Sequence, residues 1–197
     1  DPADATLLHL EKIVRARKGS RLGVQLLFLT LAEEQQLPAA LAIVPGSQIL
    51  VLQTPQGWHE LDAETGAAGV SLSELAGRWK IDPAQAQAAG YFRPLSAPEL
   101  AGMLHLHRAR RWLARGRPER ALYDLEEAKQ GMPGAAEPAE AWGEALWQAG
   151  REEEARQILE TLLEKHPRPT RPLWLLARMA WARGAAAEAL ERLDQAL

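Results

Sequence analysis

The sequence predicts a two-part chain: an α+β domain over residues 1–95, followed by an all-α array of helical repeats over residues 96–197. Two patterns carry this. Gly116, Gly150 and Gly184 stand 34 residues apart, and each is followed five residues later by an alanine, Ala121, Ala155 or Ala189. A fixed period of that length marks stacked supersecondary units. Upstream of Ser96 the apolar spacing instead switches between helical and strand-like runs, so a different fold occupies that half.

From the N-terminus, "ATLLHLEKIVRARKG" places Leu7, Leu8, Leu10, Ile13 and Val14 on one side of an amphipathic helix. "SRLGVQLLFLTLAEEQQL" reads as a second helix that is apolar nearly all round, hence central and enclosed, and stopped by Pro38. "ALAIV" and "QILVLQT" read as strands about a Pro45-Gly46 turn, and a turn at Gln56-Gly57 leads into a third, "WHEL". A short helix "SLSELAGRW" follows with Ser71 or Ser73 as N-cap, then "YFRPL" as a last strand, with Ser96 capping the repeat region. Helices before an antiparallel meander define the α+β class.

The repeat region spans three units, about 102–135, 136–169 and 170–197. In the first, Met103, Leu104, Leu106, Ala109, Trp112 and Leu113 keep helical spacing, Gly116 ends the helix, and Pro118 opens a second. Small residues at Ala109, Gly143, Ala177 and at the three alanines let paired helices approach closely, while Trp112, Trp142, Trp147, Trp174 and Trp181 fill the space between repeats. This pattern resembles the tetratricopeptide (TPR) repeat family. Such arrays curve, and the first helix of each unit lines the concave face. The resemblance therefore implies a protein or peptide partner held by Leu106 and Arg110, by Glu140, Glu144 and Gln148, and by Arg171, Trp174 and Arg178. Family members that bind chaperone tails clamp a carboxylate with Lys and Asn; neither stands here, and Glu140 and Glu144 would repel one. A ligand with one basic, one acidic and one apolar anchor suits the face better. The third unit stops inside its second helix, and an array needs a polar cap, so association through this uncapped end is expected.

In the N-terminal half, Asp1-Pro2, Arg17-Lys18-Gly19, Leu26-Leu27-Phe28-Leu29, Leu37-Pro38, Val44-Pro45-Gly46, Leu61-Asp62 and Gly66 occur in an order that resembles the transglutaminase-like (papain-like) fold, most closely the SirB1-type proteins in which that domain precedes TPR repeats. Active relatives use a cysteine nucleophile, a histidine base and an orienting aspartate. The matching positions hold Arg21, Ser47 and Asp62. Arginine is not a nucleophile and serine is no base near neutral pH, so the resemblance implies a degenerate site, a pseudoenzyme, with Asp62 capping a turn or pairing with Arg21. The rival is a cysteine-free peptidase or amidase using Ser20 or Ser47 with His59; strand alternation points His59 and Asp62 to opposite faces unless a bulge intervenes.

Composition narrows the remaining classes. Lys and Arg number 23 against 26 Asp and Glu, a net charge of −3, which argues against a nucleic-acid binder despite Arg108, Arg110, Arg111, Arg115, Arg117 and Arg120. These arginines are expected to pair with the neighbouring "REEEAR". There are no cysteines, and no HExxH, phosphate loop or dinucleotide fingerprint, so no cofactor is expected. His105 and His107, two apart on a helix, face different ways and share no metal. His9 and His166 read as exposed. No apolar run suffices to span a membrane. Missing Asn with abundant Arg fits the codon usage of a GC-rich bacterium, and the cytoplasm is favoured over the periplasm.

Overall fold

The computed structural model describes residues 15, 19–45, 47–61, 68–88, 90–165 and 170–196. The expected first helix, apart from Arg15 and Gly19, lies outside these residues, as do His9, Asp62, Gly66 and His166. The chain divides into two compact units, Asp1–Leu95 and Ser96–Leu197.

In the first unit, helix α1 (Arg21–Glu34) begins at Ser20, whose hydroxyl accepts the Gly23 N–H at 3.1 Å. That bond satisfies one of the donors a helix start leaves open. Strands β1 (Ala39–Val44), β2 (Ser47–Thr54), β3 (Gly57–Leu61) and β4 (Ala68–Ser71) form one antiparallel sheet in chain order. Both hairpins expected between β1 and β3 are present. The second turns at Pro55 and Gln56, since Thr54 pairs with Gly57, the first residue of β3. Ala42, Val51 and Leu72 form a buried cluster flanked by Ile49, Trp58 and Leu75. Helix α2 (Leu72–Trp79) closes it, with Ser71 as N-cap in a capping box with Glu74.

Three expectations for this unit need correction. Helix α1 is not enclosed: Leu31 is 51% exposed, and only Leu22, Gly23, Gln25 and Ala32 are buried, because the small sheet covers one side of it. "YFRPL" is no full strand. It meets β1 only through bridges at Tyr91 and Pro94, since Pro94 has no N–H and Phe92 turns to φ +55°. Strand β4 and helix α3 (Pro83–Ala88) were not expected; Asp82 caps α3 by accepting the Ala84 and Gln85 N–H groups.

Among the described residues the second unit is six helices in three hairpins: α4 (Ala97–Ala114) with α5 (Pro118–Gly131), α6 (Ala136–Gln148) with α7 (Glu152–Lys165), and α8 (Thr170–Ala182) with α9 (Ala186–Asp194). Each corner is built alike. Gly116, Gly150 and Gly184 take φ of +63°, +79° and +84°. At each, the glycine N–H and the next one bond back to two carbonyls of the preceding helix, as Gly116 does to Leu113 and Arg117 to Trp112. Only glycine adopts this left-handed turn without a side-chain penalty, so the recurring glycine is the recurring corner.

Packing follows the same phase. Ala109, Ala121 and Ala155 are 0% exposed, and Leu125, Leu159 and Leu175 are likewise completely buried. Each such leucine contributes about 1.5–3 kcal/mol relative to an exposed one. Around the first hairpin, Leu106, Leu113, Ala121 and Leu125 close on Ala141 and Ala145 of α6. Around the second, Leu146, Leu159 and Leu162 close on Leu175 and Met179 of α8. Trp112, Trp142 and Trp147 pack against these cores, but Trp174 and Trp181 are 41% and 68% exposed, contrary to the expectation that all five fill inter-repeat space. No described helix lies over that side of α8.

Candidate partner-binding face

The first helices of the three hairpins, α4, α6 and α8, carry the predicted residues, and four of these converge. The Arg171 guanidinium donates to Glu144 Oε2 at 2.8 Å and lies 3.7 Å from Glu140. Arg110 stands in the field of Glu137, Glu140, Glu144 and Arg171. Burial, and secondarily the Arg171 charge, weakens the hold of Arg110 on its proton; burial, with help from Glu137, raises the Glu140 carboxyl above the ordinary range against the pull of Arg171 and Arg110. Charges alternate from α4 to α6 to α8, and half-buried pairs of this kind are held more strongly than fully solvated ones.

The remaining predicted residues part company. Arg178 stacks on Trp174 at 4.6 Å and on Trp147 at 5.0 Å, a cation between two rings. Gln148 is exposed at the end of α6. Leu106 does not line a surface: it is 4% exposed and sits in the first core, because its side of α4 faces α5 and α6.

A second charged group was invisible in the sequence. Asp124 on α5 is 1% exposed. Arg108 donates to both its oxygens, Trp112 Nε1 donates to Oδ2 at 3.0 Å, and His105 Nδ1 lies 3.1 Å from Oδ1. Burial pushes this carboxyl up, but the Arg108 and His105 bonds outweigh it and hold it below the ordinary value. Arg108, Arg115 and Arg120 of the arginine run have other neighbours than the expected "REEEAR". Arg108 takes Asp124, Arg115 and Arg120 stack on Trp112, and Glu152 to Glu154 pair with Arg151, Arg156 and Arg183. Arg110 lies in the field of the α6 glutamates instead.

His107 also departs from its ordinary value, through burial rather than hydrogen bonding. Burial, then the charge of Arg110, holds its imidazole below the ordinary value. The unfolded chain therefore binds the proton first as pH falls. This contribution to stability is complete above about pH 6.5 and lost as pH drops through the folded-state value. Denaturant titrations at pH 7 and pH 5 should show a smaller loss of stability in His107→Gln than in the parent chain.

In the N-terminal unit, Arg21 Nη1 donates to Ser47 Oγ at 3.2 Å. Ser20 Oγ is occupied as the α1 cap. His59 Nδ1 contacts Thr54 Oγ1 and the Gly57 carbonyl, both at 3.1 Å, rather than either serine. The β3–β4 pairing is irregular between His59 and Leu61, where strict alternation breaks. The place of Asp62 relative to these groups lies outside the described residues.

Comparison with known families agrees with the helical architecture. The family model described as tetratricopeptide repeat matches residues 113–179, from the end of α4 into α8. No curated protein matches the chain. TPR repeats are consistent with a role in protein–protein interaction, and among the described residues no helix is long and apolar enough to cross a membrane.

Proposed function

We propose that this protein is a non-catalytic adaptor or scaffold that holds a partner polypeptide on the α4/α6/α8 face of its repeats. The observation that carries the reading is the alternating Arg110, Glu140–Glu144, Arg171 group, spread over three helices, half-buried yet reachable from solvent. A peptide with a basic and an acidic residue can exchange partners with these side chains while an apolar side chain rests near Trp174. Charged pairs that are partly desolvated give orientation and selectivity more than raw affinity.

The N-terminal unit fits this reading as a degenerate transglutaminase-like, SirB1-type domain. Arg21 and Ser47, the positions that resemblance gives to nucleophile and base, adjoin each other and offer neither chemistry. For the rival, a serine hydrolase using Ser20 or Ser47 with His59, the hydrogen bonds of the described residues supply no serine–histidine pair: Ser20 Oγ accepts the Gly23 N–H, Ser47 Oγ accepts from Arg21, and His59 Nδ1 meets Thr54 and Gly57. The cleft that this resemblance implies beside Arg21 and Ser47 is then a second contact for the partner rather than a reaction centre.

The test is selection of phage-displayed random peptides on the immobilised full chain. Sequences with one base, one acid and one aromatic or aliphatic anchor should be enriched, and recovery should fall at least tenfold on an Arg171→Glu chain. Equal recovery on both chains rejects this face as the docking site.

A further inference from the structure

The first hairpin departs from the repeat at positions where the other two conform. His105, Arg108 and Trp112 share one face of α4. One period on, the same positions hold Ala139, Trp142 and Leu146; two periods on, they hold Leu173, Leu176 and Ala180. Those six are buried or packed against the cores between hairpins. The first unit's face is thus polar by choice of residue. Its Arg108 and Trp112 both donate to the buried Asp124, where the second unit has Ile158. A buried charged pair seldom stabilises a fold more than apolar residues of the same size would. What this one contributes is position: it fixes an indole beside a guanidinium whose side chain stays 52% exposed.

Three further arginines belong to the same corner. Arg120 and Arg115 lie over the Trp112 ring at 4.9 and 5.7 Å, and Arg117, between them in the chain, is exposed. None of the three has a carboxylate partner among the described residues. Arg108, Trp112, Glu119, Arg120, Tyr123 and Asp124 line an open cavity of about 400 Å³. Tyr123 is 71% exposed there. Asp124 is taken up by Arg108, so Glu119 is the one acid of the lining that faces solvent. The position of Arg120 holds Glu154 and Glu188 in the later units, so the positive sign belongs to the first hairpin. We propose that this pocket binds an acidic linear segment of a partner polypeptide. An aromatic or leucine side chain of the segment rests against the Trp112 and Tyr123 rings, and carboxylates on either side of it meet Arg120 and the other corner arginines. A guanidinium stacked on a ring keeps its N–H edge free for a carboxylate, which makes this pairing geometrically apt. Nucleic acid is the poorer occupant. Glu119 in the lining and Glu126 and Glu127 further along α5 are exposed and repel a continuous phosphate backbone, whereas a short segment meets the arginine corner. The pocket shares no residue with the Arg110–Glu144–Arg171 group, so its failure leaves that reading standing.

The probe is a fluorescein-labelled peptide, Asp-Glu-Phe-Glu-Asp between pairs of glycines. Titrated with the full chain at low ionic strength, where surface charges are least screened, and followed by anisotropy, it should bind saturably. Replacing its acids with lysine should cost at least tenfold in affinity. Arg120→Glu and Tyr123→Ala in the chain should each cause a similar loss; both side chains are exposed, so the fold survives, as circular dichroism will show. An Arg171→Glu chain should bind the peptide as the parent does, because Arg171 belongs to the other face. No saturable binding up to about 1 mM chain overturns the proposal, as does binding that Arg120→Glu or Tyr123→Ala leaves unchanged. A labelled oligothymidylate of equal length that binds more tightly than the peptide overturns it too, assigning the arginine corner to nucleic acid.

Discussion

Replacing Asp124 with asparagine should lower the stability of the helical unit by about 3 kcal/mol, the scale seen when one partner of a buried charged network is removed. The carboxylate accepts from Arg108 and from Trp112, and it is 1% exposed. An amide of the same shape turns a donor toward one of these donors, leaving a buried N–H unsatisfied. The pH dependence separates this from simple loss of packing. Because the folded-state carboxyl is held below its ordinary value, its contribution is present above about pH 4, the unfolded value, and disappears as pH falls through the folded one. Denaturant titrations from pH 7 down to pH 3 should show an acid limb in the parent chain that Asp124→Asn flattens. A full acid limb in the variant would refute this role for the carboxylate.

Gly131→Ala should be comparably damaging, about 3 kcal/mol, lowering the thermal midpoint of the helical signal by about 12 °C or more. A Cβ there would stand 2.5 Å from the Pro98 carbonyl oxygen and 2.8 Å from the Gly102 Cα. Both obstacles are backbone, so relief requires α4 and α5 to separate. Gly143→Ala is the instructive contrast. Its Cβ would meet the Leu159 side chain at 2.9 Å, and a side chain can turn away. The cost there should be closer to 1 kcal/mol. Differential scanning calorimetry of the two variants checks the order, and equal midpoints would contradict it.

How far the sequence disclosed this structure depends on the range of the signal. The corners at Gly116, Gly150 and Gly184 and the buried alanines beside them were legible because one backbone conformation and one small volume recur at one period. Placement of Arg110, Glu140, Glu144 and Arg171 on neighbouring helices followed from the same phase. Asp124 did not, because its equivalents are Ile158 and Arg192 and its partners come from a different helix. Gly102 and Gly131 were missed for the same reason: their contact is a single crossing, not a repeated one. In the N-terminal unit the two hairpins are local and were readable, the second one residue out of place, and the α2 cap was narrowed to Ser71 or Ser73, whereas β4 is short and is fixed by pairing with β3. The exposure of Leu31 shows the limit of composition, since an apolar helix is enclosed only if enough chain surrounds it.

The thrice-repeated glycine corner has a consequence for the timing of folding. Each corner joins two helices that are adjacent in sequence, so a hairpin closes only a short loop and pays little entropy to do so. Helical units with such local contacts form in microseconds to milliseconds. A ribosome adding about 5–20 residues per second spends seconds on each period. Every hairpin thus has time to form and settle on its predecessor before the next emerges, and the array grows in one direction, from Ser96 onward, without waiting for the whole chain.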